Sequence, residues 1–249
     1  MTLQGEKKHN FLPVKEADRI VIEYYTDPLC CWSWAFEPHW QRLLREFAEQ
    51  ITYFYYMGGL ISNWQNYQDP MNAINRPAQL GPLWMEASQI ANVFIDPSIW
   101  VDDPPTSSYP ACIAVKSAEI QSREAGENFL YKLREAVMTK NQNVAKPEVL
   151  TAIAQNFAEE NPELLNFNQF LEDISGEKSV QLFKDDLQKV RYNGIGRFPT
   201  LTIHKPGKNG VIITGYRPYE VLLEAISVID PEITANKHAE PATTLHTAP

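Results

Sequence analysis

Three cysteines and one serine are the residues of this chain best suited to covalent chemistry. Cys30, Cys31 and Ser33 fall within the run Asp27-Pro28-Leu29-Cys30-Cys31-Trp32-Ser33-Trp34, and Cys112 stands far downstream. The run follows a β-branched and aromatic stretch and precedes residues with helical spacing. A thiol at such a junction faces the unpaired N–H groups and positive dipole end of the helix, which favour the thiolate. The chemistry expected of it is attack on a disulfide, with Cys30 as nucleophile. Ser33 can donate a hydrogen bond but cannot close a disulfide. Cys31 is a poor resolving partner, because a disulfide between neighbours strains the peptide joining them. Cys112, beside Ile113 and Val115, reads as a small core residue, with a distant resolving thiol as the alternative. A metal centre is not expected: no two cysteines have the two-residue spacing zinc prefers, and no histidine stands four residues from another.

The elements that must position Cys30 can be read around it. Arg19 to Tyr25 predicts a strand, Cys30 to Glu49 a helix with Trp34, Trp40, Leu43, Leu44 and Phe47 near one face, and Ile51 to Met57 a second strand. Strand, helix and strand in this order call for parallel pairing. From about Ile61 to Asn193 the pattern is helical, with segments near Ala78–Phe94, Tyr109–Gln121, Ala125–Thr139, Pro147–Glu159, Glu163–Asp173 and Lys178–Tyr192. Thr200–His204 and Val211–Thr214 then flank a Lys-Pro-Gly-Lys-Asn-Gly turn as a hairpin. A helix from Pro218 to Val228 closes the pattern. The expected fold is α/β: βαβ, an all-helical insertion, then ββα around one mixed sheet. Residues 19–62 and 194–229 would form one discontinuous domain and residues 63–193 the insertion, with flexible termini at 1–18 and 230–249.

Gly194-Ile195-Gly196-Arg197-Phe198-Pro199-Thr200 directly precedes the third strand. This run resembles the cis-proline loop of the thioredoxin superfamily, which packs beside the active cysteine. The resemblance implies a cis Phe198–Pro199 bond and a Phe198 backbone that meets bound peptide. Pro38, eight residues after Cys30, matches the kinking proline of thioredoxin-like helices. In that frame Cys30 takes the nucleophile's place and Ser33 that of the resolving cysteine, so the motif is C-x-x-S. The helical insertion, with DPLCCWSW, SYPACIAVKSAEIQ and GRFPTLTI, resembles the DsbA-like branch, in particular FrnE-like proteins and kappa-class glutathione transferases. That branch implies a carboxylate near the end of the first strand that relays protons to the cysteine, a role that falls to Glu23. Asp27 reads as a turn residue beside Pro28. Trp32 is expected to contact substrate with Phe198 and Pro199, whereas Trp40 and Trp84 read as core.

The formal net charge of −9 argues against nucleic acid or an anionic membrane as partner. No apolar run has the roughly 18 to 20 residues of a membrane span, and the polar N-terminus lacks the apolar stretch of a secretory signal. Three cysteines suit a reducing compartment, so a cytoplasmic location is expected. The leading functional expectation is a thiol–disulfide oxidoreductase or isomerase with a monothiol site. It would act on protein thiols or disulfides, hold no cofactor tightly and take glutathione as co-substrate. One alternative is a kappa-type enzyme that activates glutathione. The other is a non-catalytic, YjbH-like adaptor that binds a client and delivers it to a protease. Oligomeric state is left open.

Overall fold

The computed structural model describes residues 18–236. Four strands make one sheet, in the order β2-β1-β3-β4. Strand β1 (Ile20–Thr26) is central, and its β-branched and aromatic residues suit a pleated, buried position. It pairs in parallel with β2 (Ile51–Met57) and antiparallel with β3 (Thr200–His204), which pairs antiparallel with β4 (Val211–Thr214). The mixed α/β fold expected from the sequence is borne out. Helix α1 (Cys31–Glu46) joins β1 to β2 and contains Pro38, and α9 (Tyr219–Ile229) follows β4. Between β2 and β3 lie α2 (Leu80–Ala91), a short α3 (Ile99–Asp102), α4 (Tyr109–Gln121), α5 (Arg123–Thr139), α6 (Pro147–Glu160), α7 (Phe167–Ser175) and α8 (Glu177–Tyr192).

The buried apolar residues form two clusters. One joins alternate residues of the sheet (Ile20, Ile22, Tyr24, Leu201, Ile203) to Phe36, Trp40 and Leu43 of α1 and Leu222 and Ile226 of α9. The other fills the helical insertion around Trp84, Trp100, Phe129, Phe157 and Phe170, and reaches Leu29, Cys31 and Met57 at the sheet's end. Burying each such large side chain contributes about 1.5–3 kcal/mol. Trp40 and Trp84 are both fully buried, as expected.

Several local expectations are corrected. Helix α1 ends at Glu46 rather than Glu49, with Phe47 at its C-cap. Trp34 does not share the face of Trp40 and Leu43: its indole donates to the Phe94 carbonyl at 3.2 Å and packs on Tyr131. Helix α7 starts at Phe167 rather than Glu163, because the Asn166 side chain caps it by accepting from the Gln169 N–H. The expected flexible ends fall mostly outside the described residues, but 230–236 are docked. Ile233 and Ala235 pack on the sheet cluster, and the Asn236 N–H bonds the Glu46 carbonyl at 2.8 Å. Among the described residues, no helix is long and apolar enough to cross a membrane.

Candidate functional site

Cys30 is the N-cap of α1, with extended backbone (φ −82°, ψ 105°). Its carbonyl accepts from the N–H groups of Ser33 and Trp34, and its own N–H bonds the Asp27 carbonyl at 3.2 Å. The thiol donates to the Phe198 carbonyl at 3.4 Å, across the sheet end, and the Phe198–Pro199 peptide is cis. The Phe198 ring rests on Gly58 at the end of β2. A Cβ at Gly58 would lie 2.0 Å from that ring, so any side chain there would displace the Phe198 ring. Trp32 is half-buried and tilts against Tyr216, their centroids 6.0 Å apart. Cys30, Cys31, Trp32 and Phe198 thus line one groove of about 880 Å³ between the sheet's end and α2. Pro199 is buried behind it, while Ser33, also fully buried, lies beneath Cys30 in the first turn of α1.

The thiol's electrostatics run against the sequence expectation. Only 5% of Cys30 is exposed, and burial pushes its thiol above the ordinary range. Ser33 pulls it down, the nearby Asp27 adds to the rise, and Arg134 opposes it. Burial thus works against the stabilisation a helix terminus offers a thiolate, and the thiol is placed to donate to the Phe198 carbonyl. Cys31 and Cys112 are likewise buried and pushed well up, chiefly by desolvation. All three cysteines are free thiols.

Glu23 is not placed to relay protons to Cys30. Ile22 and Tyr24 face α1, so the strand's alternation turns Glu23 to the opposite face of the sheet. There it pairs with Lys189 of α8 at 2.7 Å and accepts from the Tyr25 and Thr202 hydroxyls. Burial raises its pKa, but these three partners outweigh burial and hold it below the ordinary carboxylate value. An ionised, triply bonded carboxylate has no proton to hand on.

The carboxyl that does lie near Cys30 belongs to Asp27, which is more than a turn residue. It is fully buried. One oxygen accepts from the Leu29 N–H at 2.9 Å; the other accepts from the Leu60 N–H at 2.7 Å, the Ser108 hydroxyl at 2.9 Å and the Cys112 thiol at 3.4 Å. Asp27 therefore ties the motif loop to the insertion, and it fixes Cys112 as an inward donor rather than a distant resolving thiol. Burial pushes its pKa up against these bonds. A second buried tie is Arg134 of α5. It meets Glu37 of α1 at 3.0 Å and donates to the Thr26 hydroxyl at the end of β1. Arg134 lies too far along the chain from the motif for spacing to reveal it. The buried Asp27 had a local sign in its place at the strand's end, directly before Pro28 and the thiols.

A family model described as thioredoxin matches residues 24–224. The chain is 28% identical over 216 residues to the ClpXP adapter protein SpxH of Halalkalibacterium halodurans, covering 85% of this chain and 69% of that protein. Among solved structures, the cytosolic disulfide reductase DsbM of Pseudomonas aeruginosa superposes with a TM-score of 0.61 at 18% identity, over 82% of this chain and 97% of that one. A Nitrosomonas europaea protein described as a candidate disulfide isomerase gives 0.69 at 22% identity, over 84% and 97%. With sheet order, motif loop and proline loop all in place, the chain belongs to the thioredoxin family.

Proposed function

We propose that this protein is a client-binding adaptor built on a DsbA-like thioredoxin fold, with the groove beside Cys30 as the seat for its client. The observation that carries this reading is the state of the thiols. Cys30 is buried, and that burial raises its thiol above the ordinary range. Ser33 stands where a resolving thiol would be needed, and Cys112 is committed to Asp27. A site that forms thiolate reluctantly and cannot release itself from a mixed disulfide is poor at turnover. The groove that surrounds it is intact. The adapters to which the chain is similar support the same reading, and by that similarity the client would be handed to a ClpXP-type protease in the cytoplasm.

A second reading keeps the chemistry. Cys30 lines the groove and caps α1, the position from which a monothiol exchanges with a protein disulfide or with glutathione. One comparison separates the two. Full-length protein and a variant with Cys30, Cys31 and Cys112 all replaced by serine are used to capture clients from cell extract, and both are assayed for disulfide exchange with glutathione. An adaptor gives the same captured set with either protein and exchange no faster than glutathione alone. Capture lost with Cys30→Ser alone, together with rapid exchange by the unaltered protein, would replace the adaptor with an enzyme.

A further inference from the structure

We propose that the groove selects an extended client segment in which an apolar residue stands beside carboxylates, and that Arg197 and Arg217 read those carboxylates. This inference rests on the adaptor reading and names the chemistry of its client.

The two arginines flank the groove on its sheet side. Arg197 precedes Phe198 in the proline loop, Arg217 follows Tyr216 after β4, and both line the groove and are exposed. Three other arginines meet carboxylates: Arg42 with Glu46, Arg123 with Glu127 and Arg134 with Glu37. Arg197 and Arg217 have no such partner among the described residues. Arg197 lies against the Met71 thioether, and Arg217 donates to the neighbouring Tyr216 carbonyl at 3.1 Å. Two unneutralised cations on one rim of a groove, in a chain of net charge −9, are complementary to an anionic partner. Guanidinium suits carboxylates in particular, through paired N–H donors.

The lining between the rims decides what carries those carboxylates. Trp32, Tyr216 and Phe198 form an apolar wall, which continues on α2 through Leu83 and Ile90. Glu86 stands on that far rim, and the Asp69 carboxylate is already bonded to Met71 and Asn72. Acidic groups on a ligand are thus drawn to the sheet side alone. A groove of about 880 Å³, with these aromatic and aliphatic side chains among polar ones, has room for a stretch of polypeptide with large side chains.

Two cysteine-free fluorescent peptides provide the probe. They share a Trp-Leu-Phe core, flanked by glutamates in one and by lysines in the other, and are titrated by anisotropy against the full-length protein. We expect the glutamate peptide to bind about tenfold more tightly, the ratio that one charge-assisted contact supplies. The preference disappears in Arg197→Ser/Arg217→Ser, reverses in Arg197→Glu/Arg217→Glu, and survives in Arg197→Lys/Arg217→Lys, which also controls for folding. Equal binding of the two peptides, binding of neither, or a preference that persists without the arginines overturns the inference. Arginine-dependent binding of reduced glutathione with no binding of either peptide also overturns it, in favour of a small-thiol site. If the serine pair still captures the same clients from extract, the adaptor reading stands and only its charge rule falls.

Discussion

Two ion pairs flank strand β1, one on each face of the sheet, and their lengths give a misleading ranking. Glu23 and Lys189 approach to 2.7 Å, Glu37 and Arg134 only to 3.0 Å. Yet Lys189 is 37% exposed and Arg134 only 1%. The first pair exchanges water for a partner with little net gain. The second holds two charges out of water, and among the described residues each is the other's ion-pair partner. Burial, not distance, separates a surface contact from a fixed tie between the insertion and the sheet domain.

The sharpest way to break this comparison is to remove one member of the buried pair. Arg134→Met leaves the Glu37 carboxylate and the Thr26 hydroxyl facing an apolar side chain, and is expected to cost about 3–5 kcal/mol. A urea midpoint measures it. The double change Arg134→Met/Glu37→Leu should restore most of the loss. A single variant no weaker than an ordinary surface substitution would mean that the pair is not shielded from water.

A smaller effect is expected at Asp27, another buried carboxyl. Asp27→Asn presents an amide to donors from Leu60, Ser108 and Cys112, at a cost of about 1–3 kcal/mol. It also removes a negative charge that opposes ionisation of Cys30. Alkylation of Cys30, followed by peptide mass spectrometry across a pH series, should titrate above the roughly 8.5 of a free cysteine in the unaltered protein. In Asp27→Asn the titration should move down in pH, and alkylation at neutral pH should quicken severalfold. A value below that of free cysteine in the unaltered protein would return Cys30 to the role of an activated nucleophile.

The smallest effect belongs to the half-exposed pair. Glu23→Gln should cost less than about 1 kcal/mol. Because the folded state holds Glu23 below its ordinary pKa, its contribution is complete above the unfolded value of about 4.3 and is lost as pH falls through the lower folded value. Urea midpoints of variant and parent should therefore differ at neutral pH and converge in acid. A gap that widens in acid would contradict the pairing.

The same two pairs show what sequence reading reaches. Periodicity and turn residues located β2, β3, β4 and α4 to their terminal residues, because each begins or ends at a local signal such as Gly58-Gly59 or the Lys-Pro-Gly turn. The thiol motif and the proline loop were legible for the same reason. Glu23 attracted a role by its distance from Cys30 along the chain, but a strand's alternation sends it to the other face. Arg134 and Glu37 lie 97 residues apart and carry no local mark of their meeting. The raised pKa of Cys30 was illegible too. A helix N-terminus can be read from sequence, whereas the desolvation that works against it depends on how the insertion covers the thiol.

The place of β1 in the sheet has a consequence for how the chain is made. One of its neighbours, β2, follows within a few tens of residues; the other, β3, meets it through pairs such as Tyr24 with Leu201. During synthesis the central strand therefore keeps one edge bare until the whole insertion has left the ribosome. The insertion's helices pack largely on near neighbours in the chain and can assemble ahead of that closure. Closure of the sheet then waits for the arrival of the proline loop and β3 beside β1. The groove around Cys30 comes into being only with that step, so an incomplete chain exposes a sticky strand edge but lacks the finished groove.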